Sequence, residues 1–127
     1  MLDAFDIGPL TWVHDEIKFA LRQVVSHLDT YERDKENVSA LKHALTHINQ
    51  VSGALDMVGL EGCKRFCFEI ETLVSAVDKQ VLASSSDVFK QLKQAVLELE
   101  HYLQDLLNGE PDQSLRLYES LAKLAEL

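Results

Sequence analysis

Proline and glycine are scarce in this chain of 127 residues, with two of the first and five of the second. Turn-rich β architectures and collagen-like or linker-like segments need far more of both. Their scarcity excludes those classes and leaves a helix-forming sequence, rich in Leu, Ala, Glu, Lys and Gln. Cysteine is nearly absent as well. The two that occur, Cys63 and Cys67, lie one helical turn apart, a spacing poorly suited to an unstrained disulfide, and no second pair exists to complete a zinc site. They read as small buried hydrophobes. Basic residues are outnumbered, 12 Lys and Arg against 21 Asp and Glu, and the formal charge of −9 repels phosphate backbones and anionic lipid. Nucleic acid and membrane surfaces are therefore not expected as partners. No run approaches the ~20 apolar residues of a membrane span, and the opening MLDAFDI has neither basic residues nor a continuous apolar stretch. The expected location is cytoplasmic.

What the chain does carry is periodic hydrophobicity. An apolar fraction of 46% over 127 residues fits one domain, 1–127, long enough to bury a core without metals or disulfides. From Pro9 to about Tyr31, Val13, Ile17, Leu21, Val24 and Leu28 recur at the spacing of one helix face. The charged stretch from Thr30 to Asn37 loses that period and reads as a solvated connection or a fraying helix end. A second helix is expected from about Ser39 to Val58, closed by Gly59 in a left-handed position. A third stripe follows at Leu60, Cys63, Phe66, Cys67, Ile70, Leu73, Val74 and Val77. The hydroxyls of Ser84, Ser85 and Ser86 offer N-caps to a fourth helix bearing Val88, Leu92, Val96, Leu99, Leu103 and Leu106, which Gly109 ends. A last segment from about Pro111 carries Leu115, Tyr118, Leu121, Leu124 and Leu127. Short connections and amphipathic stripes predict an all-α fold, an up-and-down antiparallel four-helix bundle with an additional C-terminal helix.

The second helix holds the least ordinary feature. On a wheel of about 100° per residue, Leu41, Ala44, Leu45, Ile48, Val51 and Leu55 form an inward arc. Thr46, Asn49, Gly53 and Asp56 form a contiguous polar stripe beside it. Gly53 therefore points to solvent. A helix-interior glycine costs about 1 kcal/mol relative to alanine, which is accounted for if something approaches the backbone closely there. Tolerated drift on an exposed face is the alternative.

Asn49, Ser52, Gly53 and Gly59 fall at the spacing of the pattern HxxKGxxxxxG, in which this segment resembles histidine-phosphotransfer (Hpt) domains. In those domains the histidine carries the phosphoryl group, the lysine favours the anion and the first glycine leaves room for a receiver domain. Only the glycines match in identity; Asn49 stands at the histidine position and Ser52 at the lysine position. A carboxamide nitrogen has its lone pair delocalised into the carbonyl and is no substitute for an imidazole nucleophile. The segments GPLTWVHDEI at 8–17 and NQVSGALDMVGLEG at 49–62 are also similar to the N-terminal part of ChpA/PilL-type, CheA-like hybrid histidine kinases and to the FimL-type scaffold. The resemblance covers roughly residues 5 to 105. It implies the N-terminal part of a longer protein in a chemotaxis-like system governing type IV pili and twitching motility. It also implies a non-catalytic docking surface at Thr46, Asn49, Ser52, Gly53 and Asp56, and no cofactor. The implied partner is a response-regulator receiver domain or a polar or pilus regulatory protein, met at the cell pole.

Other residues carry competing readings. His47 is the candidate for a displaced phosphorylation site in an active phosphotransfer domain. It falls about 160° from Asn49, on the flank shared with His43, and reads better as a partly exposed packing histidine. His43 and His47 are spaced to share a metal ion but lack an identifiable third ligand. Glu98 and His101 form one GluXXHis element where di-iron bundles need two. Trp12 reads as closing one end of the core, with partner anchoring as the alternative.

Overall fold

The computed structural model describes the backbone of residues 8–111 and 115–126, and the side chains of all of these except those at 115, 116, 118, 121 and 125. Five helices occur in this order: α1 (Gly8–Arg33), α2 (Val38–Val58), α3 (Glu61–Asp78), α4 (Ser86–Leu107) and α5 (Leu115–Ala125), with no strand among the described residues. Four are long and α5 is short. Leu127, expected on the last stripe, and the side chains of Leu115, Tyr118 and Leu121 lie outside the described residues.

Three of the helices end in one way. The Gly59 N–H donates to the Asp56 carbonyl and the Leu60 N–H to the Leu55 carbonyl, with Gly59 at φ 79°. This 5→2 and 6→1 pair satisfies carbonyls that an α-helix leaves open, and the buried Leu60 adds the apolar contact of that motif. Gln80 (φ 62°) and Val81 repeat the pair on the Val77 and Ala76 carbonyls, and Gly109 (φ 95°) and Glu110 repeat it on Leu106 and Asp105. At the start of α4, the Ser85 hydroxyl oxygen accepts from the Val88 N–H at 3.2 Å, so the middle serine of the three is the cap.

α1 packs against α2 and α4, α2 against α3, α3 against α4, and α5 lies on α3 and α4. The apolar stripes meet in one core that includes Leu10, Ile17, Leu41, Phe66, Phe89, Leu99 and Tyr102, all fully buried. Each such side chain stabilises the fold by roughly 1.5–3 kcal/mol through removal from water. No buried side-chain nitrogen or oxygen among the described residues lacks a hydrogen-bond partner. Charged residues stitch the helix seams. Lys93 of α4 reaches Asp29 at 2.6 Å and Glu32 at 2.9 Å on α1, Arg22 meets Glu100, and Lys42 of α2 meets Asp78 of α3 at 2.9 Å.

One expectation needs correction at α1. Trp12 does not close the core; it is 87% exposed. Leu10, His14 and Ile17 fill the first two turns of the inward face, and Trp12 stands about 200° round the helix from Leu10, pointing away. The charged stretch after Thr30 is part helix end and part connection, within the two readings expected of it, and the helix does not stop at once. It continues to Arg33, with the Thr30 hydroxyl donating to the Ser26 carbonyl and the Arg33 guanidinium to the Asp29 carbonyl, so only 34–37 connect α1 to α2.

Candidate functional site

The proposed stripe of α2 is open to solvent where the wheel places it. Thr46, Asn49, Gly53 and Asp56 are exposed and Ser52 is half-buried. Thr46 turns its hydroxyl back to the Lys42 carbonyl, 3.0 Å away, whereas the Asn49 carboxamide has no hydrogen-bond partner among the described residues. Gly53 is helical, and a Cβ built on it meets nothing within 4 Å. Neither neighbouring atoms nor backbone conformation asks for glycine at this position. Asp56 is engaged from the next helix, where Lys64 of α3 donates to its carboxylate at 2.8 Å. That hydrogen bond and the carboxylate's charge hold the Lys64 ammonium above its ordinary value. Lys64 is thus the cation bonded to the stripe, in a pattern whose lysine position is taken by Ser52.

Beside Asn49 the surface dips into a groove of about 430 Å³ between α2 and α3, walled by Leu45, Phe68, Thr72, Ser75 and Val81. Phe68 is 60% exposed and Val81 81%. These residues were missing from the sequence reading, which followed the inward stripe of α3. The available signal was the pair Phe66 and Phe68. Two aromatics about 200° apart on one helix cannot both face the core, and Phe66 is the buried one. The arrangement therefore sets an unengaged carboxamide beside an exposed aromatic ring, with a bare helix backbone one turn further along.

The histidines gather on the other flank of α2. His47 is half-buried, its ring nearly parallel to that of His27 of α1 (12°, centroids 5.5 Å apart), and its Nδ1 lies 3.1 Å from the Gln50 side-chain oxygen. His43 lies 5.1 Å from His27. The third imidazole beside the His43 and His47 pair was invisible along the chain because it arrives from another helix. Burial, then the charges of His43 and His47, push the His27 imidazole below its ordinary value. Among the described residues no group of three His, Cys, Asp or Glu side chains is arranged to hold a metal ion.

The remaining candidates are engaged in packing or surface contacts. Cys63 and Cys67 are buried and form no disulfide. Burial pushes the Cys67 thiol up to about 12, with the Glu71 carboxylate adding to the shift, so its reactive thiolate is suppressed. Glu98 accepts from the Gln94 amide, and His101 lies 3.7 Å from Asp105. No helix of the described residues is long and apolar enough to cross a membrane.

A family model described as the FimL C-terminal domain matches residues 10–121. No curated protein and no solved structure matches the chain.

Proposed function

The chain belongs to the FimL C-terminal domain family, and from that membership we propose that it is a docking module of a chemotaxis-like, two-component signalling system controlling type IV pili and twitching motility. On this reading the fold is of histidine-phosphotransfer type, with the surface for a visiting protein kept and the phosphoryl acceptor replaced by Asn49. The accompanying topology is an up-and-down antiparallel bundle with α5 added. Supporting it, His27 of α1 lies beside His43 and His47, while Ile17 and Ala20 share a groove with Val51 and Ala54. Late α1 beside early α2, and early α1 beside late α2, is the pairing an antiparallel arrangement requires. The module is one domain of a longer protein and works in the cytoplasm, at the cell pole. Its partner is a receiver domain or a pilus regulatory protein.

The observation that carries this proposal is Gly53. A glycine inside a helix costs about 1 kcal/mol relative to alanine, and here the space beyond it is empty. The fold gains nothing from the missing methyl group, whereas a docked protein gains closer approach to the α2 backbone. Asn49, open and unengaged one turn earlier, supplies hydrogen-bonding capacity without a nucleophile. The reading in which His47 carries phosphate loses support because its ring is stacked on His27 and lies beside Gln50, on the flank away from Gly53.

The test compares the wild type with Gly53→Arg and Gly53→Ala in recovery of binding partners from cells. Gly53→Ala is expected to raise stability by up to about 1 kcal/mol in urea unfolding. Gly53→Arg is expected to abolish partner recovery with helicity and urea midpoint preserved. Unchanged recovery would return this stripe to the status of a solvated helix face. Incubation with a phosphorylated receiver or a cognate kinase is expected to leave no acid-labile label; label on His47, lost in His47→Gln, would overturn the non-catalytic reading.

A further inference from the structure

A second groove, about 580 Å³, runs between α1 and α2 on the flank away from Asn49, lined by Asp15, Glu16, Phe19, Gln50, Val51 and Ala54 among others. Phe19 is 62% exposed at its edge, and the surface continues through two more exposed apolar side chains. Trp12 precedes Glu16 and Phe19 on the same face of α1, and Met57 follows Ala54 by one turn on α2. Scattered exposed hydrophobics are ordinary, but large ones gathered around a groove mark an interaction site, and tryptophan is the commonest anchor in such sites.

The carboxylates of Asp15 and Glu16 line this groove together with the His47 imidazole, and among the described residues no lysine or arginine lines it. Five carboxylates at helix seams do have a cation, Asp29 and Glu32 with Lys93, Glu100 with Arg22, Asp78 with Lys42, and Asp56 with Lys64. At this groove, among the described residues, Glu16 has no cation within ion-pair distance and the fully exposed Asp15 has only His14 at 3.7 Å. We propose that the groove binds an amphipathic helix of a partner protein, whose apolar stripe covers Phe19, Ala54 and Trp12 and whose flanking lysines or arginines meet Asp15 and Glu16. Helix-in-groove docking uses this combination of an apolar trough and charged rims. A second copy of the chain would bring the same carboxylates against these, and an anionic lipid surface would meet the same repulsion. The occupant is therefore basic and peptidic.

Trp12 is the single tryptophan of the chain, so its emission reports occupancy directly. The probe is a helical peptide of about 20 residues with leucines at i, i+3, i+4 and i+7 spacing and lysines beside them, compared with the same peptide carrying glutamates in place of the lysines. The lysine peptide is expected to shift Trp12 emission to shorter wavelength saturably, and the glutamate peptide to leave it unchanged. The double variant Asp15→Lys with Glu16→Lys is expected to weaken the lysine peptide at least about tenfold and to admit the glutamate peptide. Ala54→Arg is expected to block the lysine peptide, with helicity by circular dichroism confirming that each variant is folded. Phe68→Ala, on the α3 side, is expected to leave the response intact, so failure here is distinguishable from failure of the Asn49 surface as a docking site. Equal responses to the two peptides, no saturable response, or indifference to the double variant would each overturn the proposal. A concentration-dependent shift of the protein alone that tracks dimer formation in sedimentation would assign the groove to a second copy. A shift produced by anionic vesicles would assign it to lipid.

Discussion

His27 is disfavoured as an imidazolium from two directions, by partial burial and by the imidazoles of His43 and His47. Nothing nearby compensates. Among the described residues, the α1 neighbours one turn away are Gln23, Val24, Thr30 and Tyr31, none of them acidic, and the α2 rings packed against it are those of His43 and His47. On the α4 side, Lys93 and Glu100 are occupied with Asp29, Glu32 and Arg22. The folded state therefore holds a proton at His27 less readily than the unfolded chain, where the ordinary value of 6.5 applies. The stability this lowering implies is complete above 6.5 and is lost as pH falls through 6.5 towards the depressed folded value. Urea midpoints between about pH 7 and pH 5 should fall more steeply for the wild type than for His27→Gln, which removes the titrating group. Parallel slopes would mean that the three-histidine contact carries no linked proton.

The helix ends make the sharpest element-scale case, because one hydrogen-bond pattern is met with different residues. Gly59 and Gly109 take the left-handed position freely, whereas Gln80 holds φ 62° with a side chain attached, a conformation that costs an L-residue roughly 1 kcal/mol. Gln80→Gly should stabilise the protein by about 0.5–1 kcal/mol, read from the urea midpoint. Ser85→Ala should cost about 1 kcal/mol through loss of the bond to the Val88 N–H. The same comparison shows what was legible along the chain. Glycine announces its left-handed turns, so the ends of α2 and α4 were readable; glutamine does not, so the turn after α3 was not. The helical period fixed which faces of α2, α3 and α4 are buried, and with them the exposure of Asn49 and Gly53, since solvent exposure of a stripe is a property of one helix. Trp12 was misplaced because its hydrophobicity outweighed its angle. Charge density after Thr30 left a connection or a fraying helix end open, since charged side chains solvate a helix as well as a coil. The groove at Phe68, the Lys64–Asp56 pair and the His27 cluster each need two helices to exist, so no reading of a single segment contains them.

The whole molecule sets attraction at its seams against repulsion over its surface. Among the described residues four cations, Arg22, Lys42, Lys64 and Lys93, hold five carboxylates across helix boundaries, yet 21 acidic residues face 12 basic ones in the chain. Exposed pairs of this kind contribute about 0.2–1 kcal/mol each, while excess like charge opposes the compact state at longer range, where salt screens best. The Lys93 pairs are the least exposed at the cation, whose side chain is 24% accessible. The hydrogen bonds it donates to Asp29 and Glu32 hold its ammonium above the ordinary value of 10.5. A raised lysine value means this contribution is present below 10.5 and lost only as pH rises through the higher folded value, so it stays constant where His27 titrates. Raising NaCl to about 0.5 M should therefore lift the wild-type urea midpoint at neutral pH, because the screened repulsion exceeds the screened attraction. Lys93→Met should lose on the order of 1 kcal/mol at low salt, since Asp29 and Glu32 are then left as a like-charged i, i+3 pair, and should regain more of its midpoint than the wild type when salt is added. A midpoint that falls with salt in the wild type would show that the seams, despite the charge of −9, dominate the electrostatics of the fold.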